Sequence, residues 1–202
     1  ISNHTKHNDW VVHCDADEFH WYYSPLESII KSAEQLSFNC VQGVFTDRVS
    51  SSGELSKINR EEPIYNQFPV LANLNDVWFS LESNPPTGVV KMMIYKRNLI
   101  TSRGGHVIQT GKAKYAGGTD LSRHKYIMDT VFRENCMYQV HHFKWHSGVV
   151  DKLRRRIKTY KSRGFKWWKT SQKFVSYFEE HGKIALDTVE LYDDQTNSSP
   201  IF

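Results

Sequence analysis

Asp15 and Asp17 stand one residue apart at the end of the run Asp9-Trp-Val-Val-His-Cys-Asp-Ala-Asp-Glu-Phe19. A strand carries residues i and i+2 on one face, so a strand ending here delivers both carboxylates to the same side as the backbone opens. Paired oxygen ligands of this kind suit Mg²⁺ or Mn²⁺ with a phosphorylated substrate. The chemistry they suggest is metal-assisted transfer from a nucleotide-activated donor. Glu18 falls on the opposite face in that geometry and takes a supporting role.

A second group lies in Val140-His-His-Phe-Lys-Trp-His146. On a strand His142 shares its face with Val140 and Lys144, and His141 shares the other with Phe143 and Trp145. That polar face offers His142 to a metal and Lys144 to a phosphate, against the alternative that the histidines are satisfied by backbone. Three histidines so close on a strand cannot all face one zinc ion. Asp47-Arg48, at another strand end, pairs a possible base with a possible phosphate or carboxylate binder; the alternative is an ion pair that fixes the loop. His106, in a Gly-rich loop, is either a mobile site residue or a surface histidine. Lys161 to Lys169 interleaves basic and aromatic residues, which suits single-stranded nucleic acid or the junction of two packed helices.

The elements that must hold these groups follow from hydrophobic spacing. Residues 9–14 read as a buried strand. Ser24 is placed to cap a helix with Pro25 in its first turn and Glu27 at the capping-box position. Leu26, Ile29, Ile30 and Ala33 carry that helix to about Gln35. Strands are expected at Phe38–Val49, Val89–Tyr95 and Cys136–Trp145, with a loop or short hairpin around Gly104-Gly105. Residues 50–88, broken by Ser50-Ser-Ser-Gly53, Gln67-Phe-Pro69 and Asn84-Pro-Pro86, read as an insertion over the sheet edge. Val149, Val150, Leu153, Ile157 and Tyr160 form one helical stripe, and Phe174, Val175 and Phe178 form the next, ending near His181-Gly182. This is an α/β order, a mixed sheet flanked by helices. One domain over residues 1–192 is expected, with a disordered polar tail at 193–202.

The bulk composition narrows the class. A chain of 202 residues with 39% hydrophobic content can bury a core. Aromatics reach 13%, enough to serve both core and the stacking of sugar rings or bases. A net charge of +4 favours anionic ligands such as nucleotide phosphates but is too small to argue for nucleic acid. Cys14, Cys40 and Cys136 have no paired spacing, so free thiols are expected. No apolar run reaches the roughly 20 residues of a bilayer span. Free cysteines favour the cytoplasm, while the acceptor patterns Asn3-His-Thr5 and Asn197-Ser-Ser199 keep the Golgi lumen open.

Taken in order, D-W-V-V-x-x-D-A-D-E-F, Q-G-V-F-x-D-R-V, Q-F-P and H-H-F-K-W-H-x-G-V resemble family-2-like glycosyltransferases with the GT-A fold, over about residues 9–182. The resemblance implies a sugar moved from a nucleotide-diphosphate donor to a hydroxyl of a saccharide, lipid or protein, with Mn²⁺ or Mg²⁺ as cofactor. It implies that Asp15 contacts ribose or metal, that Asp17 ligates the metal, and that His142 adds a ligand from a late strand. Lys144 and Arg48 then belong to donor binding. The family's usual Glu-Asp base is not evident, leaving Asp47, with Asp120 as another candidate. An amino-terminal part carrying the nucleotide-base pocket is expected to be missing, so the chain represents the carboxyl-terminal portion of such a domain. The rival chemistries are nucleotidyl or phosphoryl transfer at the same aspartates, and a non-catalytic sugar- or nucleic-acid-binding module.

Overall fold

The computed structural model describes residues 6–74, 87–124, 126, 127, 133 and 135–192. The fold is α/β, a mixed sheet flanked by helices. The chain divides into two compact units: residues 1–45 with 84–141 and 195–202, and residues 46–83 with 142–194.

In the first unit the strands are β1 (Trp10–Val12), β2 (Glu18–Tyr22), the start of β3 (Cys40–Val49), β5 (Val90–Lys96) and most of β8 (Tyr138–His142). β1 runs antiparallel to β5, with Val11 opposite Tyr95, and β5 runs antiparallel to β3, with Val44 opposite Val90. β8 lies beside β2 and β3. Helix α1 (Leu26–Gln35) buries Ile29 and Ala33, and Ile29 packs with Val41, Phe45, Met93, Ile94 and Val140. Gly43 is needed where these strands approach, since a Cβ there would lie 2.2 Å from Met93 Sδ and 3.0 Å from the Tyr138 carbonyl. The expected hairpin around Gly104-Gly105 is present as β6 (Ile100–Thr101) and β7 (Ile108–Thr110).

In the second unit the end of β3 pairs with β4 (Val70–Asn73), Asp47 opposite Ala72 and Val49 opposite Val70, and β4 pairs with β9 (Glu190–Tyr192). The short helix α2 (Ile64–Gln67) precedes β4. Helices α3 (Val149–Ser162) and α4 (Trp168–His181) pack on each other and bury Val149, Leu153, Ile157, Phe174, Val175 and Phe178 around Trp145. Gly182 ends α4 with φ 71°, the left-handed cap the sequence predicts.

Some expectations change. β1 is only three residues long and half-exposed, and β2 follows it at once, so the acidic residues sit in the turn between two strands. Pro25 rather than Ser24 is the N-cap of α1, and no side chain caps it. Within 50–88, β4 is a paired strand of the sheet, not an overlay on its edge; residues 75–86 of that stretch, and the tail from 193, lie outside the described residues.

Candidate functional site

The acidic turn is built around a buried lysine. Lys91 sits in β5, a strand whose residues Val90–Tyr95 are all buried, and is itself 0% exposed. A lysine so placed needs anionic partners. Its Nζ donates to Asp15 Oδ2 at 2.8 Å and to the Glu18 carboxylate at 3.0 Å. The turn closes on itself as well. The Asp15 N–H donates to Glu18 Oε2 at 3.0 Å, the Glu18 N–H to the Asp15 carbonyl at 3.1 Å, and the Cys14 thiol to the Glu18 carbonyl at 3.0 Å.

Glu18 therefore joins Asp15 on one cation instead of facing away, because the chain turns between β1 and β2 and strand alternation no longer applies. The two acids differ in exposure: the Asp15 side chain is 52% exposed and Glu18 is buried. Burial pushes Asp15 upward, but the Lys91 hydrogen bond and charge outweigh it and hold its carboxyl below the usual range. For Glu18 burial prevails and raises it, against the opposing Asp15 N–H and Lys91. Asp17 is half-buried in the same turn.

Around this centre stand His13, His20 and Cys14. Burial and then the Lys91 charge lower His20 to about 4, and its Nδ1 lies 3.0 Å from the Tyr22 hydroxyl. His13 is lowered by the same two causes and packs edge-on to Tyr95. The Gly-rich turn lies against His13, and the Met92 N–H donates to the Gly105 carbonyl at 2.7 Å. His106 is held there by a 2.8 Å contact from Nδ1 to the Val90 carbonyl, so it is a fixed, half-buried residue.

A separate cluster lies in the second unit. Asp47 is buried, and its Oδ1 accepts from His142 Nδ1 at 3.0 Å and from Trp145 Nε1 at 2.8 Å. Burial raises this carboxyl, yet the His142 hydrogen bond, the His142 charge and the Trp145 donor outweigh it and hold it low. Arg48 donates Nη1 to the Pro69 carbonyl at 2.9 Å and lies 4.9 Å over the Tyr65 ring. Lys144 is buried against the faces of Trp145 and Phe174, 4.9 and 5.6 Å from their centroids.

The sequence candidates thus separate into two local groups: Asp15 and Asp17 with Lys91, and Asp47, Arg48, His142 and Lys144 about Trp145. His141 is fully buried in the first unit, 3.4 Å from Gln139 Oε1. Asp120 accepts from the Ser122 N–H at 3.0 Å and its hydroxyl at 2.8 Å, the bonds of a turn cap.

No family model, curated protein or solved structure matches this chain. The chemistry must come from the donor set.

Among the described residues one trio, Cys14, Glu18 and His20, has ligand atoms within 4.8 Å of one another. Its sulfur, oxygen and nitrogen set would favour a zinc-like ion. Yet burial followed by the Glu18 charge raises the Cys14 thiol, which disfavours the thiolate, and Glu18 is buried whereas Asp15, also bonded to Lys91, reaches solvent. A hard divalent ion is better matched by Asp15, ionised and half-exposed, with Asp17 two residues on; one or two carboxylates plus substrate phosphates are its common set. Lys91 was missed from the sequence because it is one cation in an apolar strand. The signal was there, since a strand buried on both faces cannot hold a lysine without an acid opposite it.

Proposed function

We propose that the chain catalyses metal-dependent glycosyl transfer from a nucleotide-diphosphate donor to an acceptor hydroxyl, on a GT-A-type scaffold. The observation that carries this reading is Asp15: a solvent-reaching carboxylate in the turn between β1 and β2, held low by a fully buried lysine, with Asp17 in the same turn. Asp15 and Asp17 would hold Mn²⁺ or Mg²⁺, which supplies neutralisation of charge on the leaving diphosphate. Lys91 and Glu18 fix the turn, so Asp15 is placed before the donor arrives. In the second unit Asp47 orients His142 through Nδ1. Asp47 itself, engaged by two donors, supports that imidazole better than it serves as a base.

The test is hydrolysis of a panel of nucleotide sugars by the full chain, with Mn²⁺ or with EDTA, beside Asp17→Ala. Donor cleavage should require the metal and fall roughly 10²–10³-fold in the variant. Consumption of nucleoside triphosphates instead would establish nucleotidyl or phosphoryl transfer. A folded protein that turns over neither class would be a binder.

A further inference from the structure

The whole-chain charge of +4 conceals a strong local concentration. Between Asp151 and Lys173 there are ten Lys and Arg and one acid, a net +9, so the rest of the molecule is net negative. This stretch is α3, the turn after it and the start of α4, and most of its cations are exposed. At the turn two large apolar side chains reach solvent: Trp167 is 57% and Phe165 38% exposed.

The turn is tightly built. The Gly164 N–H donates to the Lys161 carbonyl at 3.2 Å and the Phe165 N–H to the Tyr160 carbonyl at 3.0 Å, which closes the end of α3. Phe165 and Trp167 stack with centroids 6.0 Å apart and planes at 26°, and Tyr160 meets both edge-on at 5.9 and 6.2 Å. The rings form one preorganised aromatic tip. Arg163, Lys166 and Lys169 are exposed around it, and the Lys161 ammonium lies 4.2 Å over the Trp168 ring.

We propose that this turn docks the protein on an anionic lipid surface, with Phe165 and Trp167 entering the interface and the surrounding cations meeting lipid phosphates and carboxylates. Tryptophan at a helix-hairpin tip, ringed by lysine and arginine, has the two parts that interfacial binding needs: apolar area to bury, and charge to attract the headgroups. A single nucleic-acid strand would use the same charge. It binds, however, by stacking successive bases on open aromatic faces, and here Phe165 and Trp167 already stack on each other, with Tyr160 edge-on to both. The inference does not depend on the chemistry of the acidic turn.

The experiment is co-sedimentation of the full chain with phosphatidylcholine vesicles, with and without phosphatidylserine, alongside an oligothymidylate binding assay. Binding should need phosphatidylserine and weaken roughly tenfold or more as salt is raised from physiological to molar. Phe165→Ser/Trp167→Ser and Arg163→Glu/Lys166→Glu/Lys169→Glu should each abolish it; all five positions are exposed, so circular dichroism should match the parent. A folded parent that ignores anionic vesicles overturns the proposal. So does vesicle binding that the double aromatic variant retains, or tight oligothymidylate binding without vesicle binding.

Discussion

Lys91 is shared by two carboxylates of unequal exposure, and they shift in opposite directions: Asp15 is held low because Lys91 outweighs burial, and Glu18 is raised by burial. Lys91→Met should destabilise the protein by about 3–5 kcal/mol, because it leaves Glu18 buried without its cation; urea denaturation beside Asp15→Asn, where a solvent-reaching group is changed, measures the difference. His20 gives a pH-dependence of definite sign. Its folded value of about 4 lies below the ordinary 6.5, so the unfolded chain binds the extra proton between those values. Stability from this group is whole above pH 6.5 and declines as pH falls toward 4. Glu18, raised above its ordinary 4.5, works the other way and loses its contribution as pH rises through its folded value. The difference between parent and His20→Gln melting temperatures across pH 4 to 6.5 isolates the histidine, and a parallel pair of curves would contradict its placement.

At the scale of elements, Trp145 shows how one side chain joins a core to a polar cluster. It is 0% exposed, lies 4.8 Å from the Phe174 ring and donates to Asp47. Trp145→Ala should cost about 3–5 kcal/mol through the cavity alone. Trp145→Phe keeps most of the packing and removes the donor, so its loss of stability should be about 1–3 kcal/mol for an acceptor left short of a partner. A Trp145→Phe variant as stable as the parent would argue that the hydrogen bond contributes nothing, and losses equal to those of Trp145→Ala that the packing does.

The same element scale explains what the sequence could show. The helices were legible because Leu26, Ile29 and Ala33, and later Phe174, Val175 and Phe178, repeat at helical spacing, and Gly182 marks a stop. β2 was not, because it inverts the usual pattern: Glu18 is buried and Phe19 is exposed. An acid can point inward there only because Lys91, seventy-three residues later, meets it. Asp15, Asp47 and His142 are visible as residues, but the pairings are not: Lys91 is 76 residues from Asp15, and His142 and Trp145 are 95 and 98 residues from Asp47, separations over which local periodicity carries no information.

For the molecule as a whole, the two units alternate along the sequence: the first takes three segments, 1–45, 84–141 and 195–202, and the second the two between them. Neither is a contiguous piece. A fragment of residues 1–141 should leave Val49, Ala72 and Leu74 without the helices that cover them in the second unit. It should bind a hydrophobic dye strongly and aggregate, whereas the full chain should not; a monomeric, dye-negative fragment would show that β3 and β4 need no such cover.

That alternation also sets a timetable at the ribosome. All described strands of the first unit have emerged once His141 has, while Asp47 and its neighbours must wait for the segment that brings His142, Trp145 and both long helices. At roughly 5–20 residues per second the interval to Asp194 lasts about 3–10 s. For those seconds the nascent chain carries a half-built second unit, its apolar strand faces open to any chaperone or neighbouring chain that reaches them first.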